Sequence, residues 1–496
     1  MIERATDLHS LIKNIHNIKL IGDDNPTITG ITHDSRQVRY GNIFCAINGE
    51  SFNGNEFISE AISNGAVAVL TERYHNFGIP TIITPNVRRA MGRLTAKFYD
   101  NPCNSMKVFG ITGTKGKTTI SYILYKSLND SIGRVALSST VGRYFGDYYE
   151  YSFRTTPEST ILIPFIASAL EKGSEYAVIE ISSHGLAQDR VSGIELDIAI
   201  FTNLYPEHLE FHKDIERYFK AKSKILNIIK PGGKIIIDID NQWSARLYNM
   251  AKGISHIKTI GVSSEPGTEV KMVIPSDEKS QKTIEITSDR YTISLRSPLM
   301  SAFNAENIGL SAIALIELGM DSNIVKEQIE RAEAPPGRME EIKLGQPFRV
   351  IIDYAHTPES LRFLLTELRH QIKKGRLITV FGATGLRFKS KRPVMGRIIA
   401  ELSDRFIITT DDPYGEEPGK IAKDVLNGVD EKNRDKAETV LDRGEAIKKA
   451  LTEARRGDMV VIAGKGHERF IVYDDKKVPF NDRDYAEKTI KEILNR

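Results

Sequence analysis

Cysteine and tryptophan are nearly missing from this chain of 496 residues, which holds two of the first and one of the second. Cys45 and Cys103 are too few and too far apart for a disulfide framework, and neither has a neighbouring thiol to form a zinc pair. No apolar run approaches the roughly 20 residues that cross a bilayer. Met1 is not followed by a basic stretch and an apolar core, the pattern of a secretory leader, so a cytoplasmic protein without membrane insertion is expected. Charge of one sign is scarce as well: 68 Lys and Arg against 65 Asp and Glu leave +3. With no basic tract, a nucleic-acid partner is not expected. Repeats and low-complexity segments are absent too. What remains is a globular balance, 40% hydrophobic and 27% charged, at a length that suggests three ordinary domains.

The first hundred residues alternate short apolar runs (28–31, 42–47, 66–70, 81–84) with turn signals and helical patterns such as 56–64. A helix near 87–99 closes this small α/β domain, placed at 1–104. A second domain, 105–336, opens with an apolar strand at 106–112 that feeds a glycine-rich turn. Strands at 176–182 and 197–203, a helix at 214–229 and a strand at 234–239 follow. That alternation implies a mostly parallel sheet covered by helices on both faces. Residues 261–299 are rich in β-branched side chains and read as a smaller antiparallel patch. Ala334-Pro-Pro-Gly337 is the sharpest breaker, so a boundary and a hinge belong there. Beyond it, strands at 349–353, 377–381, 405–409 and 459–463 alternate with helices, giving a Rossmann-like domain at 337–496.

The strongest motif is the run Gly113, Thr114, Lys115, Gly116, Lys117, Thr118, Thr119, lying between a strand and an apolar helix. In that setting backbone N–H groups and a helix N-terminus converge on one spot, a natural phosphate site. Lys117 would reach the β- and γ-phosphates and the Thr118 hydroxyl would ligate Mg²⁺. The strict P-loop pattern fails at position 111, which is Ile rather than Gly. Glu180 ends an apolar strand at the sheet edge where ligands bind in open α/β folds, so its carboxylate can hold the metal beside Thr118. In 214–229 the apolar positions Ile215, Tyr218, Phe219, Ile225, Leu226 and Ile229 recur at helical spacing. Lys222 falls within that stripe, and the plain alternative is a lysine snorkelling to the surface.

The shortened loop Gly-Thr-x-Gly-Lys-Thr resembles the Mur ligase and folylpolyglutamate synthetase superfamily. Further matches run through the chain in order: His33-Asp-Ser-Arg36, Thr155-Thr-Pro157, Glu180-Ile-Ser-Ser-His184, Phe201-Thr-Asn203, His208-Leu-Glu-Phe-His212, Ala221-Lys222 and Phe303-Asn304. They continue with Pro336-Gly-Arg-Met339, Asp353-Tyr-Ala-His-Thr-Pro358, Lys391-Arg-Pro393 and Gly464-Lys-Gly-His-Glu468. The pattern is similar to the Mur ligases that add the third residue of the peptidoglycan stem to UDP-N-acetylmuramoyl-L-alanyl-D-glutamate. It implies a monomeric ATP- and Mg²⁺-dependent, ADP-forming ligase, with a UDP-binding first domain, an ATP-binding second and an amino-acid-binding third. It also implies catalytic roles for Lys117, Glu180, His208 and Lys222. His208 would contact a second metal and Lys222 would be N6-carboxylysine, its carbamate holding that metal. By the same resemblance Asn304, Arg338 and Asp353 contact the nucleotide and Ser35 and Arg36 belong to the uridine site. Thr155, Thr156, Ser182 and Arg190 hold the muramoyl dipeptide. Arg387, Asp411, Asp412, Tyr414, Gly464 and Glu468 receive the incoming free amino acid.

Three positions depart from the family's pattern. Lys115 stands where Asn is usual, and an added cation favours phosphate. The segment Thr384–Phe388 keeps Arg387 but lacks the usual acids. The loop Asp411-Asp-Pro-Tyr414 replaces the Asp-Asn-Pro-Arg of ligases that add meso-diaminopimelate. Tyr414 cannot form a bidentate ion pair and Asp412 repels a carboxylate. These changes favour L-lysine, with meso-diaminopimelate or another amino acid as the alternative. A folylpolyglutamate synthetase-like ligase and a non-catalytic nucleotide-binding protein remain as further readings.

Overall fold

The computed structural model describes residues 4–49, 53–265, 267–274, 283–299, 302–386 and 389–495. The chain divides into two compact units, Met1–Glu333 and Ala334–Arg496. The division falls at the Pro-Pro-Gly turn, where Gly337 takes a left-handed φ of 66°.

The first unit holds two large sheets. In one, Lys19–Ile21, Thr81–Ile83, Ala66–Thr71, Asn42–Cys45 and Gly30–Thr32 lie side by side in that order, antiparallel only at the first pairing. Helix Val87–Phe98 buries Met91 and Leu94 against Ile43, Cys45 and Leu70. The helical pattern at 56–64 resolves into a 3₁₀ turn, Gly54–Phe57, and a short helix, Ile58–Ser63.

The other sheet has 11 strands. Its parallel heart runs Val135–Ser139, Tyr176–Glu180, Lys107–Thr112, Leu196–Phe201, Ile229–Asp238, Lys258–Ser263. These strands read as near-continuous apolar runs because helices cover both faces. Lys117–Ser131, Ala302–Leu318 and Ser322–Glu330 pack one face, and Ser159–Glu171, Ile215–Ser223 and Gln242–Lys252 the other. The antiparallel patch proves to be an extension of this same sheet. Val270–Val273, Ile284–Ser288 and Thr292–Leu295 are antiparallel to one another, but the first pairs with Lys258–Ser263. Their alternating burial shows one face packed and one solvated, which antiparallel strands tolerate. The helix expected over 214–229 is α-helical only at Ile215–Ser223; Lys224–Ile228 tightens to a 3₁₀ turn, and the next strand starts at Ile229.

In the second unit the strand order is Glu340–Ile342, Arg349–Asp353, Met459–Ala463, Leu377–Ala383, Arg405–Thr410, Ala437–Thr439, with only the first pairing antiparallel. Helices Pro358–Gln371, Lys391–Leu402 and Pro418–Leu426 cover one face; Arg443–Glu453 and Asp482–Leu494 cover the other. No helix among the described residues is long and apolar enough to cross a membrane.

Candidate active site

Strand Lys107–Thr112 is paired on both sides, so the loop leaving it rises from the middle of the sheet. Gly113 and Gly116 have φ of 147° and 85°. A Cβ would lie 1.9 Å from Thr202 Oγ1 at the first and 2.1 Å from Asn307 Oδ1 at the second, so only glycine fits. The amides of Thr114 and Lys115 are held by the Asn203 carbonyl and side chain, each at 2.9 Å. Helix Lys117–Ser131 then begins with no side-chain cap and no acid in its first turn. Its uncapped first turn and positive dipole end, with buried Thr118 and Thr119, suit an anion. Lys117 Nζ donates to the Gly113 and Thr114 carbonyls at 3.0 Å. Asn304 and Asn307 are buried on helix Ala302–Leu318, 3.3 Å apart, facing this loop through Asn307.

The metal candidates meet at the same edge. Thr118 Oγ1 donates to Glu180 Oε1 at 2.9 Å, leaving the hydroxyl lone pairs for a cation. Glu180 Oε2 accepts from the Thr140 N–H at 2.9 Å and from Thr140 Oγ1 at 3.0 Å. Lys222 is 1% exposed, which rules out snorkelling. Its Nζ donates to the Gly113 carbonyl at 2.6 Å and lies 4.9 Å from the Tyr218 ring centre. Burial, and then the charge of Lys117, pulls this amine well below its ordinary pKa, against the pull of Glu207 and Glu180. His208 has a left-handed φ of 57° and is partly exposed, with its ring edge-on to His184 at 5.0 Å. Desolvation lowers its pKa, with Glu207 opposing. The oxygen donors of Thr118 and Glu180 fit magnesium. Lys115 is not the added cation that its sequence suggests. Its Nζ pairs with Glu207 Oε1 at 2.7 Å, which cancels much of its charge toward a phosphate. Desolvation raises the Glu207 carboxyl, but Lys115, Lys117 and His208 outweigh it and hold it below its usual pKa.

The dipeptide candidates line the neighbouring loop. Thr156 Oγ1 bridges the Glu180 carbonyl at 3.0 Å and the Ser182 amide at 2.9 Å, while Ser182 Oγ caps helix Ser183–Ala187 through the Gly185 amide at 3.0 Å. Arg190 donates to the Thr156 carbonyl at 3.2 Å and to Gln188. Its Nε lies 3.3 Å from Glu158, a 3% exposed carboxylate shared with Arg88 and Arg154. Three guanidinium groups around one acid leave a net positive site, suited to a carboxylate-bearing ligand. In the N-terminal sheet domain, Ser35 is buried and its carbonyl accepts from Asn64 at 3.0 Å. Arg36 is exposed and turns back onto Asp34 at 2.8 Å.

In the second unit, Asp353 receives the Met339 amide at 2.7 Å and the Ala355 amide at 2.8 Å, and burial raises its pKa. Arg338 lies over the Tyr354 ring at 4.8 Å. Asp411, Asp412, Gly464 and Glu468 come together at the ends of strands Arg405–Thr410 and Met459–Ala463. Among them sits Lys465, fully buried, 2.9 Å from Asp412, 2.7 Å from Glu468 and 3.6 Å from Asp411. Asp412 Oδ1 also accepts the Val472 amide at 2.8 Å. Lys465 offsets only part of the charge of Asp412, because three carboxylates around one ammonium leave the cluster net acidic. Tyr414, at φ 50°, is held through its backbone by Val472 at 3.0 Å. Arg387 lies outside the described residues, and Lys389 Nζ is paired with Glu416 at 3.2 Å.

Sequence reasoning missed Thr140, Glu158, Glu207, Asn307 and Lys465. Lys465 lies inside Gly464-Lys-Gly-His-Glu468, and Glu158 directly follows Thr155-Thr-Pro157. Thr140 has no local signal, because only the pairing of its strand neighbours brings it to Glu180.

Residues 27–99, 111–316 and 337–466 match, respectively, the descriptions "Mur ligase family, catalytic domain", "Mur ligase middle domain" and "Mur ligase, glutamate ligase domain". The chain is 36% identical over 495 residues to the UDP-N-acetylmuramoyl-L-alanyl-D-glutamate–2,6-diaminopimelate ligase of Caldanaerobacter subterraneus subsp. tengcongensis, covering 99% of each. It is 35% identical over 488 residues to the protein of the same name from Halalkalibacterium halodurans, covering 98% of this chain and 99% of that one. A solved structure of a UDP-N-acetylmuramoyl-L-alanyl-D-glutamate–2,6-diaminopimelate ligase superposes with a TM-score of 0.69 at 28% identity, covering 99% of both chains. With the loop, the acidic strand end and the buried lysine in one first-unit site, and matches along nearly its whole length, the chain is a ligase that belongs to the Mur ligase family.

Proposed function

We propose that this ligase uses ATP and Mg²⁺ to join 2,6-diaminopimelate to the D-glutamate of UDP-N-acetylmuramoyl-L-alanyl-D-glutamate in peptidoglycan synthesis. Joining a carboxylate to an amine in water is uphill. ATP would phosphorylate the D-glutamate side-chain carboxylate, and the amine would displace phosphate from the acyl phosphate. Two anions must first meet, so positioned cations are most of the catalysis. The observation that carries this reading is the convergence of the capless helix start at Lys117, the Thr118–Glu180 pair and the buried Lys222 on the Gly113 carbonyl. The arginine cluster around Glu158 supplies the counter-charge for the dipeptide carboxylates. Magnesium, when bound, would neutralise the phosphates; Thr118, Glu180 and His208 would hold the cations, with a carbamate on Lys222.

Diaminopimelate is favoured by the names of the relatives. L-Lysine is the second reading, because Tyr414 stands where the resemblance places an arginine for the distal carboxylate. A desolvated, unpaired carboxylate costs roughly 1–3 kcal/mol, about ten- to over a hundredfold in selectivity. Phosphate release with UDP-dipeptide, ATP and each amino acid should give meso-diaminopimelate a kcat/KM at least about tenfold above L-lysine. The reverse order establishes the lysine reading, in which case Tyr414→Arg should move preference toward diaminopimelate. No release with any amino acid would overturn ligation itself.

A further inference from the structure

Glu180 is held by more than Thr118. The turn after strand Val135–Ser139 presents Thr140, whose N–H and hydroxyl both reach Glu180 Oε2, at 2.9 and 3.0 Å. Thr140 Oγ1 also lies 2.9 Å from Thr155 Oγ1. Proton bookkeeping fixes the direction of this chain. An ionised carboxylate only accepts, so the single Thr140 hydroxyl proton goes to Glu180. Thr140 can then only accept from Thr155, and the Thr155 proton is spent on it. Thr118 gives its own proton to the other carboxylate oxygen. Both ends of the chain therefore turn lone pairs outward: Thr118 toward a cation, Thr155 toward whatever enters beside it.

We infer that Thr140 is a positioning residue that locks Glu180 and makes Thr155 a pure hydrogen-bond acceptor, coupling cation binding to recognition of the acyl substrate. Thr155 then meets an N–H or O–H of that substrate, such as a peptide amide or a sugar hydroxyl, and rejects a carboxylate or phosphate oxygen. The identity of that substrate rests on the function proposed above; the link to the cation does not. The backbone stays where it is without the hydroxyl, because the Thr140 N–H bond and the strand pairing of Val135–Ser139 remain.

The test uses the full chain with Thr140→Val, Thr140→Ser and Thr155→Val. Mn²⁺ affinity, read by electron paramagnetic resonance with a non-hydrolysable ATP analogue, should fall about fivefold or more in Thr140→Val and recover to within about twofold in Thr140→Ser. Affinity for the UDP-dipeptide should fall about tenfold in Thr140→Val, and Thr155→Val should cost less in that background than in the unmodified protein, because the chain that orients its lone pairs is already broken. A KM rise for UDP-dipeptide larger than the fall in kcat should accompany it. Unchanged Mn²⁺ affinity in Thr140→Val, failure of the serine to rescue, or additive losses in the double variant would each overturn the inference. If the unmodified protein binds no UDP-dipeptide, the functional proposal fails while the Mn²⁺ comparison still decides the role of Thr140.

Discussion

Replacing Lys222 by alanine should abolish ligation, by about a hundredfold at least, and bicarbonate together with acetate or formate should restore part of it. The lysine is closed off from water and its ammonium has one strong acceptor, the Gly113 carbonyl. A buried cation with a neutral partner is costly, and burial with the charge of Lys117 pulls the amine well below its ordinary pKa, against Glu207 and Glu180. The neutral amine is the form that would attack CO₂: a C–N bond would form, a proton would leave, and a cation beside the glycine-rich loop would become a carboxylate. That sign change is what a second magnesium would require so close to Lys117. Alanine removes the carboxylate and leaves a hole that a small free carboxylate can enter, which is why acetate or formate should substitute. The measurement is phosphate release with and without these anions. An alanine variant as active as the unmodified protein would sink the carbamate, and an inactive one that no small carboxylate revives would point to a structural lysine.

How far the sequence reached depends on the distance over which each signal acts. The phosphate loop was legible because strand, glycines and helix lie within one stretch of chain, and the two left-handed glycines are forced by Thr202 and Asn307. The burial of Lys222 could be read from the 3–4 spacing around it, since helical periodicity states which face is inside. What it touches could not, because the Gly113 carbonyl is more than a hundred residues away. Charges were misjudged for the same reason. Lys115 and Asp412 stand as unpaired charges in sequence, yet Glu207 pairs with the first and Lys465 with the second across the fold. The parallel heart of the large sheet followed from alternating strands and helices. Its continuation through Val270–Leu295 did not, because hairpin composition does not say which edge it joins.

The loops of the second unit proposed to receive the amino acid have a hidden brace, and removing it should cost more stability than any surface change. Arg443 and Asp482 are both fully buried side chains at the first turns of the two helices on one face of the sheet. They form a forked pair, at 2.6 and 2.7 Å. The same guanidinium donates to the Thr410 carbonyl at 3.2 Å and the Ala463 carbonyl at 3.1 Å, the last residues before Asp411 and Gly464. One side chain thus ties both strand ends from which the proposed amino-acid loops depart. Arg443→Ala leaves a buried carboxylate and two strand-end carbonyls without their donor, a change worth about 3–5 kcal/mol. Trp243, the single tryptophan, lies in the first unit and will not report on it. Hydrogen exchange of strands Arg405–Thr410 and Met459–Ala463 will, and their protection should fall accordingly. Arg443→Met with Asp482→Leu removes both charges and should recover most of that protection, while the two carbonyls still lack their donor. In that double variant the KM for the amino acid should rise about tenfold and the KM for ATP should hold. Exchange rates unchanged in Arg443→Ala, or an unaltered amino-acid KM in the double variant, would show that the loops are held by something other than Arg443.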